Sequence, residues 1–187
     1  MGCAGHSTYH FPLPREEAID TLWTPWRIGY IIGEKPEGCF LCLKHEEPAT
    51  KDRGNYVLYR GKLCYMMLNL FPYSNGHLMI APYAHVGSFE ILDAATLSEM
   101  MSLSQRAVVL LKKAFSPAGF NIGINLGLVA GAGVPEHLHV HVVPRWEGDV
   151  NFMSVLADTR LIPEALDATY DRLMALIKEE GLETGKP

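Results

Sequence analysis

The stretch Glu136-His137-Leu138-His139-Val140-His141-Val142-Val143-Pro144-Arg145-Trp146 decides how this chain is read. Histidines hold alternate positions, and Leu138, Val140 and Val142 hold the places around them. A period of two is that of a half-buried β-strand. On such a strand the imidazoles point the same way, with neighbours roughly 7 Å apart. Upstream lies Asn125-Leu126-Gly127-Leu128-Val129-Ala130-Gly131-Ala132-Gly133, a glycine-rich connection whose backbone amides can face an anion. A histidine row behind a flexible anion loop points to phosphate chemistry. Two other readings compete: ordinary strand histidines, and a three-histidine metal site, since His-x-His on a strand presents two ligands.

His137-x-His139-x-His141-Val142-Val143 resembles the motif of the histidine triad family, nucleotide-binding hydrolases and transferases that act on the α-phosphate of a nucleotide. The run from Asn121 to Met153 is similar to the family's bacterial diadenosine tetraphosphate phosphorylase-like branch. Asn125-Leu126-Gly127, the histidine string through Trp146, and Gly148-Asp149-Val150-Asn151-Phe152 carry that similarity, which extends over residues 21–180.

Composition agrees with a soluble globular protein. The 187 residues suit one domain, 48% of them are hydrophobic and 20% charged. We expect a poorly ordered segment over 1–20 and a single domain over 21–187. A formal net charge of −5 argues against a broad nucleic-acid-binding surface but leaves room for a small nucleotide in a pocket. No apolar run reaches the length of a membrane span, so no membrane association is expected. No secretory signal is apparent, and Met1-Gly2-Cys3 lacks the Ser or Thr at position 6 that myristoylation wants. Cys3, Cys39, Cys42 and Cys64 then read as thiols or metal ligands of a cytoplasmic protein.

Along the chain, residues 14–23 suit a short helix and Trp23 to Tyr30 an extended aromatic segment. Gly38-Cys39-Phe40-Leu41-Cys42 is a Cys-x-x-Cys knuckle. Residues 56–60 and 63–70 predict a hairpin around Gly61-Lys62, and 77–82 a third strand. Apolar residues from Leu97 to Ala114 recur at helical spacing, predicting an amphipathic helix over 94–115 closed by Pro117 and Gly119. Residues 120–126 predict a fourth strand, the histidine stretch a fifth, and 163–180 a C-terminal helix. The fold expected is α+β: a five-stranded, mainly antiparallel sheet carrying a long helix and a C-terminal helix.

The resemblance implies the roles. His139 matches the family's nucleophile, which forms a nucleotidyl-histidine intermediate, and His141 matches the donor to the bridging or α-phosphate oxygens. Asn125 matches a phosphate-facing amide and Asn69 the residue that holds the ribose hydroxyls. Gly131 and Gly133 would present backbone amides to phosphate. Gly133-Val134 stands where other branches carry Gln-Ser or Gln-Thr, so one side-chain donor is missing. Metal-bearing members imply a zinc site at Cys39, Cys42, His85 and His137, with His45 a weaker candidate. His77 is expected to pack or hydrogen-bond within the sheet, and Arg145, Trp146, Asp149 and Asn151 to border the second nucleotide or its phosphate chain. The implied protein is a homodimeric enzyme that cleaves dinucleoside polyphosphates at the α-phosphate, with water or inorganic phosphate as acceptor. The alternatives are a nucleoside phosphoramidate or dinucleoside polyphosphate hydrolase, and a nucleotide-binding adaptor with incidental catalysis.

Overall fold

The computed structural model describes residues 38–149 and 162–181. The expected tail over 1–20, the helix over 14–23, the segment Trp23 to Tyr30, and Asn151 to Met153 lie outside the described residues.

Among the described residues five strands are formed: β1 Val57–Arg60, β2 Cys64–Leu68, β3 Leu78–Pro82, β4 Gly119–Ile124 and β5 Val140–Arg145. They pair in the order β1-β2-β3-β5-β4, every pair antiparallel. The long helix, here α3, runs over Ala94–Phe115 as its periodicity predicts. Asp93 caps it by accepting the Thr96 amide at 2.8 Å, and Ser116 closes it with a left-handed φ of 47°.

Strand parity sorts the core into two layers. Met66, Leu68, Leu78, Ile80, Val140 and Val142 turn toward Met100, Leu103, Ala107 and Leu111 of α3. The C-terminal helix α4, Leu166–Glu179, adds Tyr170, Leu173 and Ile177 to that layer. The intervening residues Tyr65, Met67, Met79 and Ala81 pack on the other face, against Leu41 of α1, Phe40–Glu46. Because Met79 is the register partner of His141, the histidines belong to this second face. The sheet thus separates an apolar support from a functional surface.

Three expectations need correction. The histidine strand begins at Val140, not Glu136, because the His137 amide turns back to the Val134 carbonyl (3.2 Å) and the Leu138 amide bonds Val86 outside the ladder (2.7 Å). The fourth strand ends at Ile124, so Asn125 lies just beyond it. The C-terminal helix starts at Leu166; Glu164 lies ahead of it, its carboxylate accepting from Thr169 (2.9 Å) and Arg172 (2.7 Å). The helices α1 and α2, Asp52–Asn55, were not anticipated beyond the knuckle itself.

Candidate active site and metal-ligand cluster

The expected row of three histidines is divided by the structure. The rings of His139 and His141 lean together edge to face, with centroids 4.7 Å apart. His139 itself precedes the ladder, which begins at Val140. The His137 ring faces the knuckle, packing at 5.3 Å against His85.

Hydrogen bonds decide which nitrogen of each ring carries the proton. His139 Nδ1 lies 2.9 Å from the His137 carbonyl oxygen, which can only accept. The proton therefore sits on Nδ1, and Nε2 keeps the lone pair a nucleophile needs. His77 Nδ1 receives the Tyr73 backbone amide at 3.1 Å, with Asn69 Nδ2 at 3.3 Å. Its proton is thus on Nε2, which donates to His141 Nδ1 at 2.9 Å. His141 must then carry its own proton on Nε2, as a donor toward a ligand. Tyr73 stacks on His141 at 5.7 Å and screens this relay.

Burial keeps these rings neutral. It pushes His77 down to about 3, with the neighbouring His141 and His139 adding to the effect. His141 is pushed down to about 4 by burial and then by His139. His139 is also lowered by burial, partly offset by its bond to the His137 carbonyl. Sequence reasoning expected His77 to bond within the sheet. It does, but its partner is His141, 64 positions away. No local pattern carries that pairing.

A cleft of about 700 Å³ opens beside His141, between β4, β5 and the loop that carries Tyr73. Asn125, Arg145, Trp146 and Asp149 line it. Arg145 is held by Asp149 (2.6 Å) and Asn121 (2.8 Å). Asn125 Nδ2 reaches the Gly131 carbonyl at 3.4 Å and folds the loop on itself. The Gly131 amide donates to Leu128 (2.9 Å), so Gly131 contributes a left-handed turn at φ 86° in this conformation. A Cβ at Gly133 would meet nothing within 4 Å, so space is open there. Asn69 is buried, and its Oδ1 accepts the Phe71 amide at 2.9 Å.

The second cluster gathers three distant segments. Cys39 Sγ lies 3.3 Å from His137 Nδ1, and Cys42 Sγ lies 3.3 Å from His85 Nδ1 and 3.4 Å from His137 Nδ1. All four ligand atoms fall within 4.8 Å of one another. Tetrahedral coordination at ordinary bond lengths puts ligand atoms about 3.3–3.8 Å apart, so the set fits a metal ion. His137 Nε2 donates to the Pro82 carbonyl at 2.9 Å, which leaves the Nδ1 lone pair facing the thiols. His45 is not in the set; it packs between Tyr65 and Tyr83, at 5.3 and 5.1 Å. Gly87 permits the convergence, because a Cβ there would lie 2.6 Å from the Pro135 carbonyl oxygen and 2.9 Å from Glu136 Cα. Sequence reasoning had no signal for it.

An antiparallel sheet carrying paired, oppositely protonated histidines defines a class, and the sequence comparisons name it. The HIT domain profile matches residues 51–148, and the chain belongs to the HIT domain family. It is 39% identical over 176 residues to AP-4-A phosphorylase of Mycobacterium tuberculosis, covering 91% of this chain and 90% of that one. It is also similar to bis(5'-nucleosyl)-tetraphosphatase (asymmetrical) of Schizosaccharomyces pombe, 35% identical over 96 residues, 51% of this chain and 52% of that protein. Among solved structures it resembles a Zn-bound histidine triad family protein from Mycobacterium smegmatis at a TM-score of 0.60 and 25% identity, covering 78% of this chain and 98% of that one. The knuckle cysteines lie outside the matched profile. Among the described residues, no helix is long and apolar enough to cross a membrane.

Proposed function

We propose that this chain cleaves dinucleoside polyphosphates of the diadenosine tetraphosphate class at the α-phosphate, with inorganic phosphate as acceptor. The observation that carries the reading is the opposite protonation of two touching rings: His139 offers a lone pair at Nε2, and His141 offers a proton at Nε2. His139 Nε2 attacks the α-phosphorus, forming a P–N bond as the P–O bond to the leaving nucleotide breaks. ATP departs from diadenosine tetraphosphate and AMP remains on the ring. His141 donates a hydrogen bond to the oxygen on which charge develops. A phosphate oxygen then attacks the same phosphorus, the P–N bond breaks, and ADP leaves.

Asn125 is assigned to the phosphate side, with Gly131 and Gly133 in its loop. Asn69 is assigned to the ribose side, where the second lone pair of Oδ1 can accept a hydroxyl without displacing the Phe71 amide. Arg145, Trp146 and Asp149 border the departing nucleotide. Phosphorolysis is supported by the 39% identity to the M. tuberculosis phosphorylase. Water is the second acceptor to consider, given the shared half with the S. pombe tetraphosphatase.

Cys39, Cys42, His85 and His137 would hold zinc in a closed structural site, supported by the zinc-bound relative and the ligand spacing. We place the protein in the cytoplasm as a homodimer paired along the edge strand β4, where Ile122 is exposed.

The test is to incubate the pure protein with diadenosine tetraphosphate, with and without inorganic phosphate, and identify the products. ADP plus ATP, formed only with phosphate, is the expected result. AMP plus ATP without phosphate would make it a hydrolase, and no turnover under either condition would overturn the substrate class.

A further inference from the structure

One residue stands in both clusters. The His137 ring points its Nδ1 at Cys39 and Cys42, while its backbone carbonyl accepts the proton of His139 Nδ1 at 2.9 Å. We infer that His137 couples the metal-ligand cluster to the nucleophile, so that occupancy of the cluster sets the orientation of His139. The inference rests on the zinc and nucleophile assignments above and assigns His137 a positioning role that neither includes.

The argument is one of anchorage. The β5 ladder starts at Val140, opposite Ile80 of β3 and Ile124 of β4. His139 therefore lies outside the ladder, and its backbone is held from the side of residues 137 and 138. Three contacts hold that side: the Leu138 amide on Val86 (2.7 Å), the His137 amide on Val134 (3.2 Å), and the His137 ring on Pro82 (2.9 Å). The ring is the one side-chain anchor of the three, and it meets the knuckle through the Cys39 and Cys42 thiols. Val86 and Pro82 flank His85, another member of the cluster. Tying Cys39, Cys42 and His85 to His137 thus closes a ring of contacts around the carbonyl that orients His139. Without that tie, the Leu138 amide on Val86 still pins one end of the 137–138 peptide plane, but the plane can tilt about its flanking Cα bonds, and His139 can exchange its Nδ1 proton for the other tautomer. That tautomer lacks the nucleophilic lone pair at Nε2.

By reciprocity, a nucleotide that requires the ordered His139 should also tighten metal binding. The test uses the full chain loaded with zinc and the same protein stripped by a chelator. Nitrogen-15 imidazole spectra report the His139 tautomer, and amide exchange reports the β3–β5 ladder. We expect one His139 tautomer, protonated at Nδ1, in the loaded protein. In the stripped protein we expect a tautomer mixture with the ladder still protected. An unchanged His139 spectrum after zinc removal overturns the inference while leaving the zinc assignment intact.

If the stripped protein unfolds, a second measurement decides. Zinc affinity is read by chelator competition with and without saturating AMP. A several-fold tighter zinc affinity with AMP supports the coupling, and equal affinities overturn it. If the wild-type protein takes up no zinc at all, the zinc assignment fails and the inference falls with it. Cys39→Ser that still binds zinc at wild-type affinity would count against the ligand set alone.

Discussion

His77 Nε2 donates to His141 Nδ1 across 2.9 Å, from a ring whose own Nδ1 is occupied by the Tyr73 amide. The protonation of a cleft residue is thus dictated by a backbone N–H, the one donor in the relay that cannot change its state. His77 is fully buried, so bulk solvent does not compete for this bond.

His77→Phe keeps a ring of similar size and removes both hydrogen-bonding nitrogens. His141 is then free to carry its proton on Nδ1. We expect kcat to fall by about 10²-fold at neutral pH, the order of a misplaced general acid, with KM changed much less. Steady-state kinetics on diadenosine tetraphosphate checks this; an unchanged kcat would show that the relay does not govern His141.

His139→Gly removes the proposed nucleophile while leaving the α3-facing layer untouched. Turnover should fall by about 10³-fold or more, with nucleotide binding retained. Wild-type protein quenched during turnover should carry an acid-labile label from substrate radiolabelled in the α-phosphate, and the variant should carry none.

Buried neutral histidines make stability depend on pH. The folded values of His77 and His141, about 3 and about 4, lie below the ordinary 6.5. As pH falls, the unfolded chain therefore binds protons first. Their contribution is complete above about pH 6.5 and is lost between there and the folded values, at about 1.4 kcal/mol per pH unit for each ring. Urea unfolding from pH 7.5 to 4.5 should show this slope, and His77→Phe should reduce it by one ring's share.

Gly87→Ala should destabilise the fold by about 1–3 kcal/mol, because backbone rather than a flexible side chain meets the new methyl group. Pro135 and Glu136 must shift, and His137 with them. Thermal unfolding measures the first effect. A lowered zinc content after dialysis measures the second, and wild-type behaviour in both would refute the close approach.

Cys39→Ser should lower bound zinc well below one ion per chain and lower Tm, since ion binding is folding free energy for a site of this kind. Metal analysis beside calorimetry checks it.

Much of this was legible in the chain itself. The hairpin, the 94–115 helix and the sheet that carries the histidines follow from periodicity, because burial on one face repeats at the period of the backbone. His139, His141 and the four cluster residues were reached through the motif and its resemblance, and the structure brings each group together. Strand limits were less legible. The alternation of histidines continues to His137, while the ladder stops at Val140, and a pattern of residue types does not register where hydrogen bonds change partner.

What the sequence by itself determined is therefore the set of faces: which residues turn toward α3 and which toward the opposite face that carries the histidines. What only the tertiary structure decided is the state of the imidazoles. The Tyr73 amide, the Pro82 carbonyl and the His137 carbonyl place one proton on each of three rings. The Pro82 and His77 bonds join residues 55 and 64 positions apart. Periodicity reports burial, which is local and non-directional. Protonation is set by directional contacts that exist only once the strands have paired.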